Sequence, residues 1–128
     1  MTLVRSHRDL KVYQDAFDAA MTVFEMTKSF PVDERFSLTD QFRRASRSVA
    51  ANIAEAWHKR RYRAHFISKL TDSSGEAAES QVWAEIALRC NYITEEEFEA
   101  VFARLERLVA SLIGMINHAD EWCSPSKP

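Results

Sequence analysis

Glu55-Ala-Trp-His58 places a carboxylate and an imidazole three residues apart, the spacing with which four-helix bundles hold di-iron or di-manganese centres. Such a centre takes the motif twice, and no other Glu in the chain has a His three residues on. Nor do His7, His65 or His118 have a carboxylate three residues before them. The ligand count of a di-metal site is unmet, so no metal or cofactor is expected, and His58 reads as one more cation at low pH. There is no nucleophile elbow, glycine-rich phosphate loop or H-E-x-x-H, and no Cys-His pairing. Glu76 and Glu79 are paired only as exposed helical glutamates commonly are. Cys90 and Cys123 are too few and too far apart for a disulfide framework or a C-x-x-C site, and are expected to be buried or partly buried thiols. No enzymatic activity is expected.

The chemistry that remains is electrostatic. Arg43, Arg44 and Arg47 form one tight group, Lys59, Arg60, Arg61 and Arg63 a second, and Lys69 follows. Between residues 43 and 69 only Glu55 is acidic, a local balance of +7 in a chain whose net charge is -2. Residues 70 to 128 carry the opposite excess. Like charges repel, so a basic stripe without interleaved acids points to an external polyanion, most often a phosphate backbone, RNA or DNA. The competing account is a protein-interaction scaffold whose basic helix docks an acidic partner, or the acidic last helix of its own or a neighbouring copy.

The elements that position these residues are helical. The 128 residues, 46% of them apolar, suit one domain, and two Gly and three Pro are few for a hairpin-rich protein. Helix one, about residues 7-29, starts at Ser6 with Asp9 as a capping pair and carries Leu10, Tyr13, Phe17, Ala20 and Phe24 at helical spacing. Val12, Ala16, Ala19, Val23 and Met26 widen its apolar face to roughly 220°, more than a lone bundle uses. Val12, Ala16, Ala19 and Val23 are therefore assigned to an oligomer or helix seam, where Val23→Glu is expected to separate subunits and spare the helices.

Pro31 breaks the chain, and Ser37 or Thr39 caps helix two, about 38-59, whose inward stripe is Phe42, Ala45, Val49, Ile53 and Ala56. With Arg43 at zero on a helical wheel, Arg47 falls near 40° and Arg44 near 100°, whereas that stripe centres near 240°. The arginines face away from the core. Asn52 and Glu55 flank the stripe, either as a hydrogen-bonded pair that fixes register across a helix or subunit seam or as two groups reaching water. Trp57 reads as a packing or interface residue rather than a base-stacking platform. Helix three, about 62-90, carries a stripe of small residues. Helix four, about 95-121, opens on a Thr94/Glu97 capping box, and the tail 123-128 is expected to fray. The result is an all-α, antiparallel up-down-up-down four-helix bundle in one domain, 1-128. No stretch approaches the roughly 18 apolar residues of a membrane span, and MTLVRSHRDL lacks an apolar signal core. A cytoplasmic protein without membrane partners is expected.

LKVYQDA, SFPVDERFSLTDQFRRASRSVAANIAEA and EAAESQVWAEIALRCNYI together resemble the bacterial four-helix-bundle family of 23S rRNA intervening-sequence proteins, over about Asp9 to Asp120. The run from Phe30-Pro31 through Gln41, Arg43-Arg44 and Asn52-Ile53-Ala54-Glu55 matches in both identity and spacing. That family usually has Gly after the Glu, where Ala56 stands here. The resemblance implies a left-handed bundle assembling as a ring-shaped homopentamer. Similar proteins are accessory subunits of diversity-generating retroelements, where a basic surface meets nucleic acid and a reverse transcriptase. The function expected is a non-enzymatic homo-oligomer that binds nucleic acid through phosphate contacts from Arg43, Arg44, Arg47, Lys59, Arg60, Arg61, Arg63 and Lys69.

Overall fold

A computed structural model describes residues 3-123, and within them every regular element is helical. A 3-10 turn, His7–Asp9, precedes α1, Lys11–Thr27; a second, Val32–Glu34, precedes α2, Leu38–His58. Then follow α3, Arg63–Arg89, α4, Glu95–Asn117, and the single turn α5, Ala119–Trp122. The capping box of Ser6 and Asp9 forms, but it caps the 3-10 turn. Leu10 is extended (φ -74°, ψ 127°), and α1 starts after it rather than at residue 7. The Asp9 carboxyl is held below its usual range by the backbone N–H groups of Arg5 and Ser6, at 2.8 and 3.2 Å. The last helix is not continuous to residue 121: the backbone leaves helical geometry at His118, whose Nδ1 lies 2.8 Å from the Gly114 carbonyl. The tail expected to fray lies, beyond Cys123, outside the described residues.

Each long helix packs mainly on its neighbours in sequence: α1 on α2, α2 on α3 and α3 on α4, with a thinner seam between α1 and α4. α1 and α3 lie across from one another, with no Cα pair within 8 Å. Phe42, Ile53, Phe66, Leu70, Leu105 and Leu112 fill the interior with no more than 2% exposure. Each such side chain contributes about 1.5–3 kcal/mol by leaving water. Along the α2–α3 seam, Ala45 and Val49 face Ser73, Ala77 and Ser80, all buried, and the Ser73 hydroxyl donates to the Val49 carbonyl at 2.7 Å. That bond requires the two backbones to lie close, which small side chains permit.

Of the two alternatives for the small-residue row of α1, a helix seam or an oligomer seam, the structure shows the first. Ala16, Ala19 and Val23 are its innermost residues, buried inside the single subunit at 0–2% exposure, with Val12 half-buried against the same core. Phe17, expected inside, is 49% exposed beside Met21 at 46%, so the face of α1 left at the surface is the bulky one. The small side chains turn inward because they let α1 settle close onto its neighbours. Cys90 is exposed, contrary to expectation. Cys123 is half-buried, and burial pushes its thiol up.

The cap of α2 also differs. Neither Ser37 nor Thr39 supplies it; Glu34, one turn earlier, accepts the Leu38 N–H at 3.3 Å through Oε1 and the Tyr92 hydroxyl at 2.9 Å through Oε2. Tyr92 packs against Phe30 with ring centroids 5.4 Å apart and planes tilted by 45°, and follows Asn91, whose positive φ of 63° closes α3. The Tyr92 and Asn91 N–H groups return to the Ala87 and Leu88 carbonyls, both at 2.9 Å, a termination motif in which Asn tolerates the left-handed position.

Two outcomes follow. Val23→Glu puts a carboxylate into the interior and costs about 4 kcal/mol or more, so far-UV circular dichroism should show loss of the helices, not merely a smaller particle. Glu34 and burial together push the Tyr92 phenol from about 10 up to about 12. The neutral form is thus favoured by folding, a contribution fully present below about pH 10 and lost as pH rises through about 12. Tyrosinate absorbance should show one late ionisation that Glu34→Gln shifts down.

Candidate nucleic-acid interface

The eight cations singled out from the sequence do not form one surface of equivalent charges. Arg43 is half-buried and works between helices: its Nε donates to Thr27 Oγ1 at 2.7 Å, and its guanidinium lies 4.9 Å from the Phe24 ring centroid. Arg44 pairs with Asp40 one turn before it at 3.5 Å. Arg63 reaches across to Asp120 at 2.6 Å, and Lys69 to Glu55 at 3.2 Å. These are solvent-reached pairs that add about 0–1 kcal/mol each, but they lower the charge available to a ligand.

Arg47, Lys59, Arg60 and Arg61 make no ion pair among the described residues. In particular, neither Arg43 nor Arg47 pairs with Glu95, Glu96 or Glu99 of the same chain. Arg60 is held in place by the Trp57 backbone and ring: its Nη1 donates to the Trp57 carbonyl at 2.8 Å, and its guanidinium lies 3.9 Å from the ring centroid. Trp57 itself packs edge-on to Trp122 at 6.3 Å, the packing role expected. Arg61 is exposed and Lys59 and Arg60 are half-buried at the α2–α3 turn, which is fixed by the Lys59 N–H on the Glu55 and Ala56 carbonyls and by Tyr62 N–H on the Lys59 carbonyl at 2.8 Å.

Asn52 and Glu55 do not form the polar pair that was one of the two expectations. The Asn52 amide donates to the Ser48 carbonyl one turn back at 2.9 Å, while Glu55 turns to Lys69. With Glu55 engaged in that pair and His58 exposed, the Glu-x-x-His motif gathers no metal ligands, and no group of three or more His, Cys, Asp or Glu converges among the described residues. Glu76 is raised chiefly by partial burial and then by Glu79 and Asp72, an acidic row on α3.

Two features went unassigned in the sequence. Tyr62 stands 58% exposed among the arginines of the turn, a position signalled by the run Arg60-Arg61-Tyr62-Arg63. The second is an apolar groove of about 430 Å³ between α1 and α2, walled by Phe17, Met21 and Phe24, floored by Ala50 and Ala54 and rimmed by Arg47. On the α1 side Tyr13, Phe17, Ala20 and Phe24 were visible as the first apolar row of helix one, but nothing in the sequence showed that this row stays open.

Among the described residues no helix is long and apolar enough to cross a membrane. Among curated proteins no relative matches the sequence. A solved structure of a protein with unknown function from the S23 ribosomal protein family, from Bacteroides thetaiotaomicron VPI-5482, is similar in fold, with a TM-score of 0.76. It is 30% identical, and the match covers 83% of this chain and 95% of that one. The sequence profile described as 23S rRNA-intervening sequence protein matches residues 8–114. Over most of its length, then, the chain follows that pattern, and it belongs to the 23S rRNA-intervening sequence protein family.

Proposed function

We propose that this protein is a non-enzymatic, homo-oligomeric up-down-up-down bundle that binds nucleic acid through phosphate contacts centred on the α2–α3 turn. The observation that carries the reading is the set Lys59, Arg60 and Arg61, clustered on a rigid turn with no carboxylate partner among the described residues. Three adjacent cations raise the local potential and attract a polyanion without reading its bases. Arg47 adds to the field farther along α2, whereas Arg44, Arg63 and Lys69 are already partly neutralised and Arg43 serves the α1–α2 contact. The alternating sense of the helices is supported by the pairs Val49–Ser73 and Glu55–Lys69, whose numbers diverge from the turn between α2 and α3.

A second copy of the chain is the occupant of the α1–α2 groove. Phe17 and Met21 are too exposed for a finished surface, and Val82 and Ile86 on α3 are 50% and 39% exposed as well. Because no Cα of α1 comes within 8 Å of one of α3, these are two separate faces, as a head-to-tail contact between copies uses. The Arg47 rim and the Asp72, Glu76 and Glu79 row of α3 add opposite charges to the two faces. A ring, such as the pentamer the family resemblance implies, is the closed form of such a contact.

Two measurements test the reading. Phe17→Glu should retain the circular dichroism of the native helices but fall to a smaller mass in light scattering; an unchanged mass would remove the groove as the subunit contact. Fluorescence anisotropy with labelled RNA and labelled duplex DNA should show affinity falling steeply with salt. In Lys59→Gln/Arg61→Gln the slope of log affinity against log salt should drop by roughly 1.5, the share of two phosphate contacts. Absence of binding at low salt, or a slope the double variant does not change, would overturn it and direct the search to an acidic protein partner.

A further inference from the structure

Phosphate contacts alone leave Tyr62 unexplained. It is the N-terminal flanking residue of α3, yet its ring caps nothing: no side-chain cap bond is made there, and 58% of the residue is exposed. The rest of the turn holds it in a fixed place. Its own N–H donates to the Lys59 carbonyl at 2.8 Å, and its carbonyl accepts the Phe66 N–H at 3.0 Å. The ring is tilted 43° to that of His65 with centroids 5.6 Å apart, and the Arg61 guanidinium lies 5.9 Å from its centroid. From Trp57 to Lys69 the chain has no acidic residue.

An exposed aromatic ring fixed among unpaired cations has the composition of a stacking platform for single-stranded nucleic acid. The ring takes the face of a base, while the cations take the phosphates on either side. A base inside a duplex has both faces covered by its neighbours and cannot use such a ring. Trp57, the other aromatic residue of the turn, is engaged by Arg60 and Trp122 and is not available for stacking.

We propose that Tyr62 stacks on an unpaired nucleobase while Lys59 and Arg61 hold the adjoining phosphates, so that the α2–α3 turn prefers single-stranded to double-stranded nucleic acid. The proposal rests on the nucleic-acid reading above and adds the class of ligand.

The test compares a short labelled single-stranded RNA with the same strand annealed to its complement, at low salt, by anisotropy. Wild type should bind the single strand more tightly. Tyr62→Ala should weaken single-strand binding at least about fivefold, the effect of losing one stacked base, while duplex binding changes by less than about twofold and the salt slope is kept. Tyr62→Phe should retain the preference, because the ring and not the hydroxyl does the stacking. Equal affinity for both RNAs in wild type, or a Tyr62→Ala variant that binds the single strand as wild type does, overturns the proposal. If Lys59→Gln/Arg61→Gln weakens both RNAs and Tyr62→Ala weakens neither, stacking fails alone and phosphate binding stands. If wild type binds neither RNA, both readings fall together.

Discussion

The close approach of α2 and α3 is the constraint on which the other features depend. Ser73 reaches the Val49 carbonyl at 2.7 Å only because Ala45, Ala77 and Ser80 leave the seam thin. A larger residue at any of these buried positions would separate the helices and strand a polar hydroxyl in the core. The same approach fixes how the two helices meet at their shared end. The turn from Lys59 to Tyr62 is therefore held at both sides by packed helix, and its cations are presented on a support rather than on a loose loop.

Charge segregation along the chain is partly undone by the fold. The acidic last third supplies Asp120 to Arg63, and the lone acid of the basic segment, Glu55, turns to Lys69. Arg43 is drawn into an aromatic and hydroxyl contact that ties α2 to α1. The positive field is thereby concentrated at one end of the bundle instead of running along α2. Arg47 stays apart from it, on the rim of the apolar groove.

Helices were legible because three-four spacing of apolar residues and the Thr94/Glu97 box are local signals, and both operate as read. What was not legible were choices between two local options that only a neighbour decides. Helix one has two apolar rows, and bulk alone favours burying Phe17; the fold buries Ala16 and Ala19 because close packing of backbones outweighs the size of one ring. Ser37 stands where a cap should be, but its side chain makes no cap bond; Glu34 on the preceding 3-10 turn takes the Leu38 N–H instead and is held there by Tyr92, 58 residues away in sequence. Asn52 and Glu55 looked like a pair because they lie near one another on a helix, yet a backbone carbonyl and a lysine on α3 compete for them successfully. The basic cluster was found as a cluster; which of its members are neutralised depends on residues that only folding brings near.

The unequal settings of the two thiols have a use in chemical labelling. Thiol-specific reagents attack the thiolate, so burial that both covers Cys123 and raises its thiol slows its alkylation, whereas Cys90 lies open to reagent. A brief reaction near neutral pH thus places a reporter at one position, just past the end of α3. That helix has 27 residues and spans about 40 Å, so the reporter sits a helix length from the α2–α3 turn, far enough to signal changes there without obstructing them.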